Sequence, residues 1–346
     1  MPDDVMTKRR WKLIDIDNLT RPRYFVFTSM LVLLGVAAVT SDPGWREISA
    51  VVVVAIAYHI FAYIQNDVLD LPIDRTQPLR ANDPLVSGLI APGAAMAIAL
   101  MQIPIALIAT WWIGGGVWAY IVLGIGFVFM TIYNLYGKRC PVPMVTDAAQ
   151  GIGWGSLAIY ASLVSIGHVN ALSFVAANFG FAFLFLINGV HGGLRDLGND
   201  LALGCSTTAI YFGAYVDDEG RVVSTGALRA FAFFALAVYF APGSIALLNG
   251  NFDYQGFDFV AVAVAWFLIL VFAIWVLYIL TQPIIENRNL IIRYHGTPLL
   301  LSAIILFLPR MFPVLIITML LCHLVPRFIF SDPTRPTSRW FLSRNT

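Results

Sequence analysis

The chain has 346 residues, of which 59% are hydrophobic and 12% charged, and its formal net charge is +1. A soluble domain of this size carries about half apolar residues at most, so the excess points to a polytopic membrane protein. The near-neutral charge gives no footing for a nucleic-acid partner, and the three cysteines (Cys140, Cys205, Cys322) show neither metal spacing nor a disulfide framework.

The N-terminal stretch MPDDVMTKRRWKLIDIDNLTRPRY is polar and has no short apolar core ending in a cleavage site, so a removable signal peptide is not expected. A spanning helix needs roughly 20 mostly apolar residues. Nine such runs follow, approximately 24–40, 48–65, 92–112, 115–133, 145–166, 171–190, 228–249, 258–281 and 297–325. Pro309, Arg310 and Pro313 predict a kink or break in the last. Continuous runs of this length exclude the short alternating segments of a membrane β-barrel. The expectation is therefore an all-α, multi-pass membrane bundle of about nine helices. It has one domain over 24–325, flanked by an N-terminal segment 1–23 and a polar tail 326–346.

Basic residues alternate between the two ends of these helices. Arg75, Arg80, Lys138, Arg139, Arg195, Arg221, Arg288 and Arg293 lie in the connections after the even helices, and Lys8, Arg9, Arg10, Lys12, Arg21 and Arg23 precede the first. The opposite connections hold almost only Arg46. By the positive-inside rule the N-terminus and the even loops face the cytoplasm. Nine spans would leave the tail outside, although it carries Arg327, Arg335, Arg339 and Arg344. Either the tail is an exception or the count is one short.

The charges concentrate in two places. In NDVLDLPIDR, residues 66–75, Asn66, Asp67, Asp70 and Asp74 fall on one helical face, although Pro72 should end or kink the helix nearby, which makes Asp67 and Asp70 the safer pair and leaves Asp74 open between helix and loop. Carboxylates so close repel unless a cation intervenes. An oxygen-only donor set suits a hard divalent ion, Mg²⁺ above all when phosphate shares the coordination. The second cluster, HGGLRDLGNDLALG at 191–204, sets Asp196 and Asp200 four residues apart on one face, with Asn199 beside them. Two acid pairs at one membrane edge predict two Mg²⁺ ions gripping one diphosphate, with Arg75, Lys138, Arg139 and Arg195 available to its oxygens. The bland alternative for any single loop carboxylate is solvation.

These segments resemble the motifs of the UbiA superfamily of intramembrane prenyltransferases. NDVLDLPIDR is similar to its first aspartate-rich motif, and NDPLVSG at 82–88 to the segment after it, with Asp83 where arginine is usual. RDLGNDLALGCSTTAIYFG at 195–213 is similar to the second motif, Arg21–Pro22 to the start of the first helix, and YNLYGKRCP from Tyr133 to the tyrosine-and-lysine segment. The resemblance implies a helical bundle around a central, lipid-accessible cavity. There a prenyl diphosphate is held by Mg²⁺ and its chain passes to a small-molecule acceptor, an aromatic compound among the candidates. By the same resemblance Asn66, Asp67, Asp70 and Asp74 would serve the first metal, Asp196 and Asp200 the second, and Arg75, Tyr133, Lys138 and Arg195 the substrate, all on the cytoplasmic side.

One departure bears on the acceptor. Gly193 stands where many members have a further aspartate, which leaves His191 as a candidate base beside a purely structural reading of that histidine, shared by His59 and His295. A terpene cyclase, in which the chain captures its own cation, is the first rival. A cation-coupled transporter is the second, but it predicts charges at the bilayer midplane within broken helices rather than at helix ends. The glycines of GIGWG at 151–155 suggest tight helix contacts, and VDDEGR at 216–221 an exposed turn that could cap the cavity.

Overall fold

The structure is a computed structural model that describes residues 11–77 and 80–330, except for the side chain of Arg293. In chain order the helices are α1 (Leu13–Thr20), α2 (Phe25–Val39), α3 (Trp45–Leu69), the single turn α4 (Leu71–Asp74), α5 (Pro92–Trp112), α6 (Val117–Tyr136), α7 (Pro143–Ile166) and α8 (Ala171–Leu186). A π-helical turn, Ile187–Gly192, leads into α9 (Gly193–Arg195), α10 (Leu197–Ala202) and α11 (Thr208–Tyr211). An antiparallel hairpin of β1 (Tyr215–Val216) and β2 (Val222–Val223) precedes α12 (Gly226–Leu248), α13 (Gly256–Leu280), α14 (Arg288–Phe307) and α15 (Pro313–Phe330).

Among the described residues nine helices are long and apolar enough to cross a membrane. They do not match the nine expected runs one for one. The expected span 297–325 is two helices, because Pro309 and Pro313 cannot donate the backbone hydrogen bonds that would carry α14 into α15. Conversely α7, with 24 residues, is passed over by apolarity alone, since glycines and polar residues dilute it. It is nonetheless well enclosed, packed against α2, α6 and α8.

The glycines explain that packing. Helices in lipid gain no hydrophobic energy by meeting, so close van der Waals approach has to hold them. A Cβ at Gly155 would stand 2.6 Å from the Ala177 carbonyl of α8, and one at Gly153 2.8 Å from the Tyr58 hydroxyl of α3. A Cβ at Gly35 of α2 would sit against the backbone carbonyl of Ala158. The tight contacts expected of GIGWG are thus those of α7 with its neighbours. Elsewhere Pro242 frees a carbonyl inside α12, and Asn178 Nδ2 of α8 donates to it, reaching Val238 O at 2.9 Å.

α15 explains the basic C-terminal end. Arg310, just before it, donates to the Ala37 carbonyl at the far end of α2, whereas Cys322, further along, reaches Ser29 near the start of α2. The helix therefore runs antiparallel to α2 and returns Arg327 to the N-terminal side, as a count one higher requires. Arg335, Arg339 and Arg344 of the expected tail lie outside the described residues, as do Lys8, Arg9 and Arg10. The expected N-terminal segment contains α1, which packs on α3 and turns Leu13 and Ile16 outward.

Candidate active site

The first acidic motif is shaped by Pro72. Its ring disfavours helix at Leu71, so α3 ends at Leu69 and the chain re-enters a helical turn with Pro72 in its first positions. Asp67 remains on α3, Asp70 caps the junction and Asp74 closes α4, so of the two placements open to Asp74, helix or loop, the helical one is found. Asn66 Nδ2 donates to Asp70 Oδ2 at 3.3 Å.

The carboxylates of this motif then part company. Asp67 and Asp74 are buried and both pair with Arg80, which also holds Asp83 at 3.1 Å. Asp67 has a second cation in Arg21, whose backbone carbonyl is fixed by His59. Three carboxylates around one guanidinium hold Arg80 further above its ordinary range, even though burial acts the other way. Burial pushes Asp74 up to about 6, against the opposing pull of Arg80. Asp83, at the position where the family resemblance expects arginine, thus serves as an anchor for Arg80.

Asp70 faces elsewhere. Lys138 Nζ lies 3.9 Å from Asp70 Oδ2 and 3.6 Å from Asp200 Oδ1, so one ammonium bridges the first motif to the second. The backbone arranges this meeting: Ser206 N–H donates to the Lys138 carbonyl at 2.9 Å, tying the loop after α6 to the loop after α10. Burial raises the carboxyls of Asp70 and Asp200 above the ordinary carboxylate range, although Lys138 draws both back. Burial would lower Lys138, but Asp200 and Asp70 outweigh it and hold the ammonium charged. A small cavity opens here, lined by Asn66, Asp70, Tyr133, Asn134, Gly137 and Lys138. From the lining residue Asn134 a polar chain leads away, in which Asn134 Nδ2 donates to Gln65 Oε1 at 2.8 Å and Gln65 Nε2 to Thr131 Oγ1 at 3.3 Å.

The other expected residues fall around this centre. Tyr133 Oη accepts from Asn188 Nδ2 in the π turn at 3.4 Å. Asp196 is half-exposed and paired with Arg195 through two bonds of 2.9 and 2.6 Å. Burial would raise its carboxyl, and the Arg195 guanidinium overrides this and lowers it. Arg75 is exposed. A Cβ at Gly193 would stand 2.8 Å from the Cβ of Ala209 in α11, so the missing acid has no room there. His191 turns toward α14, where its Nε2 meets His295 Nδ1 at 2.9 Å, and it is absent from the cavity lining. VDDEGR forms the turn of the hairpin, whose strand β1 packs on α10 beside the second motif.

Sequence reasoning passed over Arg21 and Arg80 as the partners of Asp67 and Asp74, and over Asp147 of α7. Asp147 carried a signal: it is a lone carboxylate inside an apolar run.

Among the described residues no three His, Cys, Asp or Glu side chains converge into a ready-made metal cage. The donors still fit a hard cation. They are all oxygens, Asp200 Oδ1 is buried without a hydrogen-bond partner, and an ammonium already sits between Asp70 and Asp200. Magnesium is usually held by one or two carboxylates completed by phosphate and water rather than by an all-protein cage.

Residues 25–283 match the model of the UbiA prenyltransferase family. The chain belongs to that family. It is an integral multi-pass membrane protein and a transferase of prenyl groups. It is similar to the digeranylgeranylglyceryl phosphate synthase of Hyperthermus butylicus, 28% identical over 250 residues that cover 68% of this chain and 76% of the relative. Its fold is similar to that of a UbiA homolog from Aeropyrum pernix K1 (TM-score 0.62, 15% identity, 86% of this chain and 98% of that one). A UbiA homolog from Archaeoglobus fulgidus bound to DMAPP and Mg²⁺ is also similar (TM-score 0.56, 15% identity, 85% and 98%). The all-helical UbiA fold expected from the motifs is the fold found.

Proposed function

We propose that the protein transfers an isoprenoid chain from a prenyl diphosphate to a small-molecule acceptor, with Mg²⁺ as cofactor and release of pyrophosphate at the cytoplasmic mouth of the bundle. The observation that carries this reading is the Lys138 bridge. It brings Asp70 of the first motif and Asp200 of the second to one point beside a cavity that Asn66 and Tyr133 also line. That meeting needs both motifs on one side of the bundle and in reach of one ligand.

Asp70 and Asp200 would hold metal directly, with Asp67, Asp74 and Asp196 reaching it as their arginines turn to phosphate. Magnesium, when bound, neutralises charge on the departing pyrophosphate. Lys138, Arg80 and Arg21 supply donors to the diphosphate oxygens, and Arg195 does so from the rim. The electron pair of the breaking carbon–oxygen bond leaves with pyrophosphate, and the allylic cation is met by the acceptor. Tyr133 presents a ring to that cation, and the hairpin over α10 limits the approach of water. A transporter fits poorly, because the acids cluster at helix ends and not at breaks in mid-span.

The test uses purified protein with Mg²⁺ and prenyl diphosphates of several lengths. Acceptors are phenols and, following the name of the archaeal relative, geranylgeranylglyceryl phosphate. Acceptor-dependent pyrophosphate release with a prenylated product supports the reading. A cyclic hydrocarbon formed without acceptor would replace it with a cyclase, and intact diphosphate under every condition would remove both.

A further inference from the structure

Asp147 lies one turn inside α7, on the same side of the bundle as both acidic motifs. It is buried, and its Oδ2 accepts a hydrogen bond from Thr208 Oγ1 of α11 at 2.5 Å. Its partner among the described residues is thus a hydroxyl and not a cation. A carboxylate buried without a cation costs several kcal/mol by order of magnitude, and an amide would serve Thr208 equally well. A merely structural role therefore does not account for the acid.

Its surroundings give it access to chemistry. The wall facing Asp147 is Gly189 of the π turn, where a Cβ would stand 3.3 Å from Asp147 Oδ2 and 3.0 Å from the Phe231 ring. The carboxylate occupies this space because residue 189 has no side chain. The neighbouring Asn188 donates to Tyr133 Oη, and Tyr133 lines the cavity. Asp147 is thus linked to the cavity-lining Tyr133 through the adjoining residues Gly189 and Asn188.

The other candidates for proton transfer are turned to cations, closed off or directed to another helix. Asp70 and Asp200 share Lys138, Asp196 is clamped by Arg195, position 193 is closed by Ala209, and His191 Nε2 is taken up by His295. We propose that Asp147 is the base that takes the proton the acceptor loses as its new bond to the prenyl chain forms. The inference rests on the transfer reading above. The allylic carbon–oxygen bond breaks and its electron pair leaves with pyrophosphate. The acceptor's oxygen or ring carbon bonds to the allylic carbon, and the proton from that atom passes to the Asp147 carboxylate and then to water.

The test is Asp147→Asn, which keeps the size of the side chain and an oxygen for Thr208. Thermal unfolding and calorimetric binding of geranyl diphosphate with Mg²⁺ establish that the fold and the diphosphate site persist. Wild type and variant are then supplied with geranylgeranyl diphosphate and either a phenol or geranylgeranylglyceryl phosphate. The expected result is pyrophosphate release within about threefold of wild type but transfer reduced roughly 100-fold or more, the order of a lost general base. The missing product should appear as prenyl alcohol, formed by water capturing the cation. Transfer at the wild-type rate overturns the proposal and leaves the transfer reading intact. Loss of diphosphate binding in the same proportion as transfer makes Asp147 structural and overturns it as well. Failure of the wild type to prenylate either acceptor overturns the transfer reading first, and the proposal with it.

Discussion

Replacing Lys138 by methionine separates two roles of that side chain. In the absence of substrate its ammonium holds Asp70 and Asp200 at 3.9 and 3.6 Å. At an effective dielectric near 20 each contact is worth about 4 kcal/mol of gross attraction, before the cost of desolvating the lysine is subtracted. Methionine removes that attraction and leaves the two carboxylates repelling each other across the cavity. A divalent cation then becomes the available remedy, so Mg²⁺ alone should raise the unfolding temperature of Lys138→Met more than that of the wild type. Prenyl diphosphate binding should move the other way. A charge-assisted hydrogen bond contributes about 1.5–3 kcal/mol, so affinity for geranyl diphosphate at saturating Mg²⁺ should fall roughly 10- to 150-fold. Detergent-solubilised protein suffices for both measurements, thermal unfolding across a Mg²⁺ titration and calorimetry with geranyl diphosphate. Equal Mg²⁺ stabilisation of the two proteins, together with unchanged diphosphate affinity, would refute the bridging argument and the placement of the ligand at Lys138.

Lowering the pH should weaken Mg²⁺-dependent diphosphate binding. The metal needs carboxylates, Asp74 takes a proton as the pH falls through about 6, and the raised Asp70 and Asp200 protonate sooner than ordinary carboxylates. Calorimetry at pH 7.5 and pH 5 should show the decline, and equal affinities would contradict it. Arg80→Ala should destabilise the metal-free protein by about 3–5 kcal/mol, because Asp67, Asp74 and Asp83 lose a shared cation, although Arg21 still holds Asp67. Added Mg²⁺ should restore part of that stability in thermal unfolding. Gly35→Ala should lower stability by about 1–3 kcal/mol, since the new Cβ meets the Ala158 backbone, which cannot swing aside as a flexible side chain could. An unfolding temperature equal to that of the wild type would show that α2 and α7 are less tightly joined than their backbones indicate.

Composition and run length by themselves determined that the chain is a helical membrane bundle, because lipid leaves few ways to satisfy a backbone and 20-residue apolar runs admit one of them. The spacing of Asp67, Asp70, Asp196 and Asp200 marked the end of the bundle where the charged side chains gather for the same local reason: helical periodicity puts neighbours of a motif on one face. The sequence even registered the break at Pro309 and Pro313 and the misplaced charge of the C-terminal end. Joining those two signs required the antiparallel seat of α15 along α2. Partnership was decided only in three dimensions. Which carboxylates face Lys138, which are held by Arg21 and Arg80, why Gly193 has no room for an acid, and that Asp147 stands against Gly189 all depend on distances between separate helices. Local periodicity orients a side chain about its own axis, but it does not say which axis lies opposite. That is set by how closely glycine-bearing helices approach and by where a proline or a π turn redirects the chain.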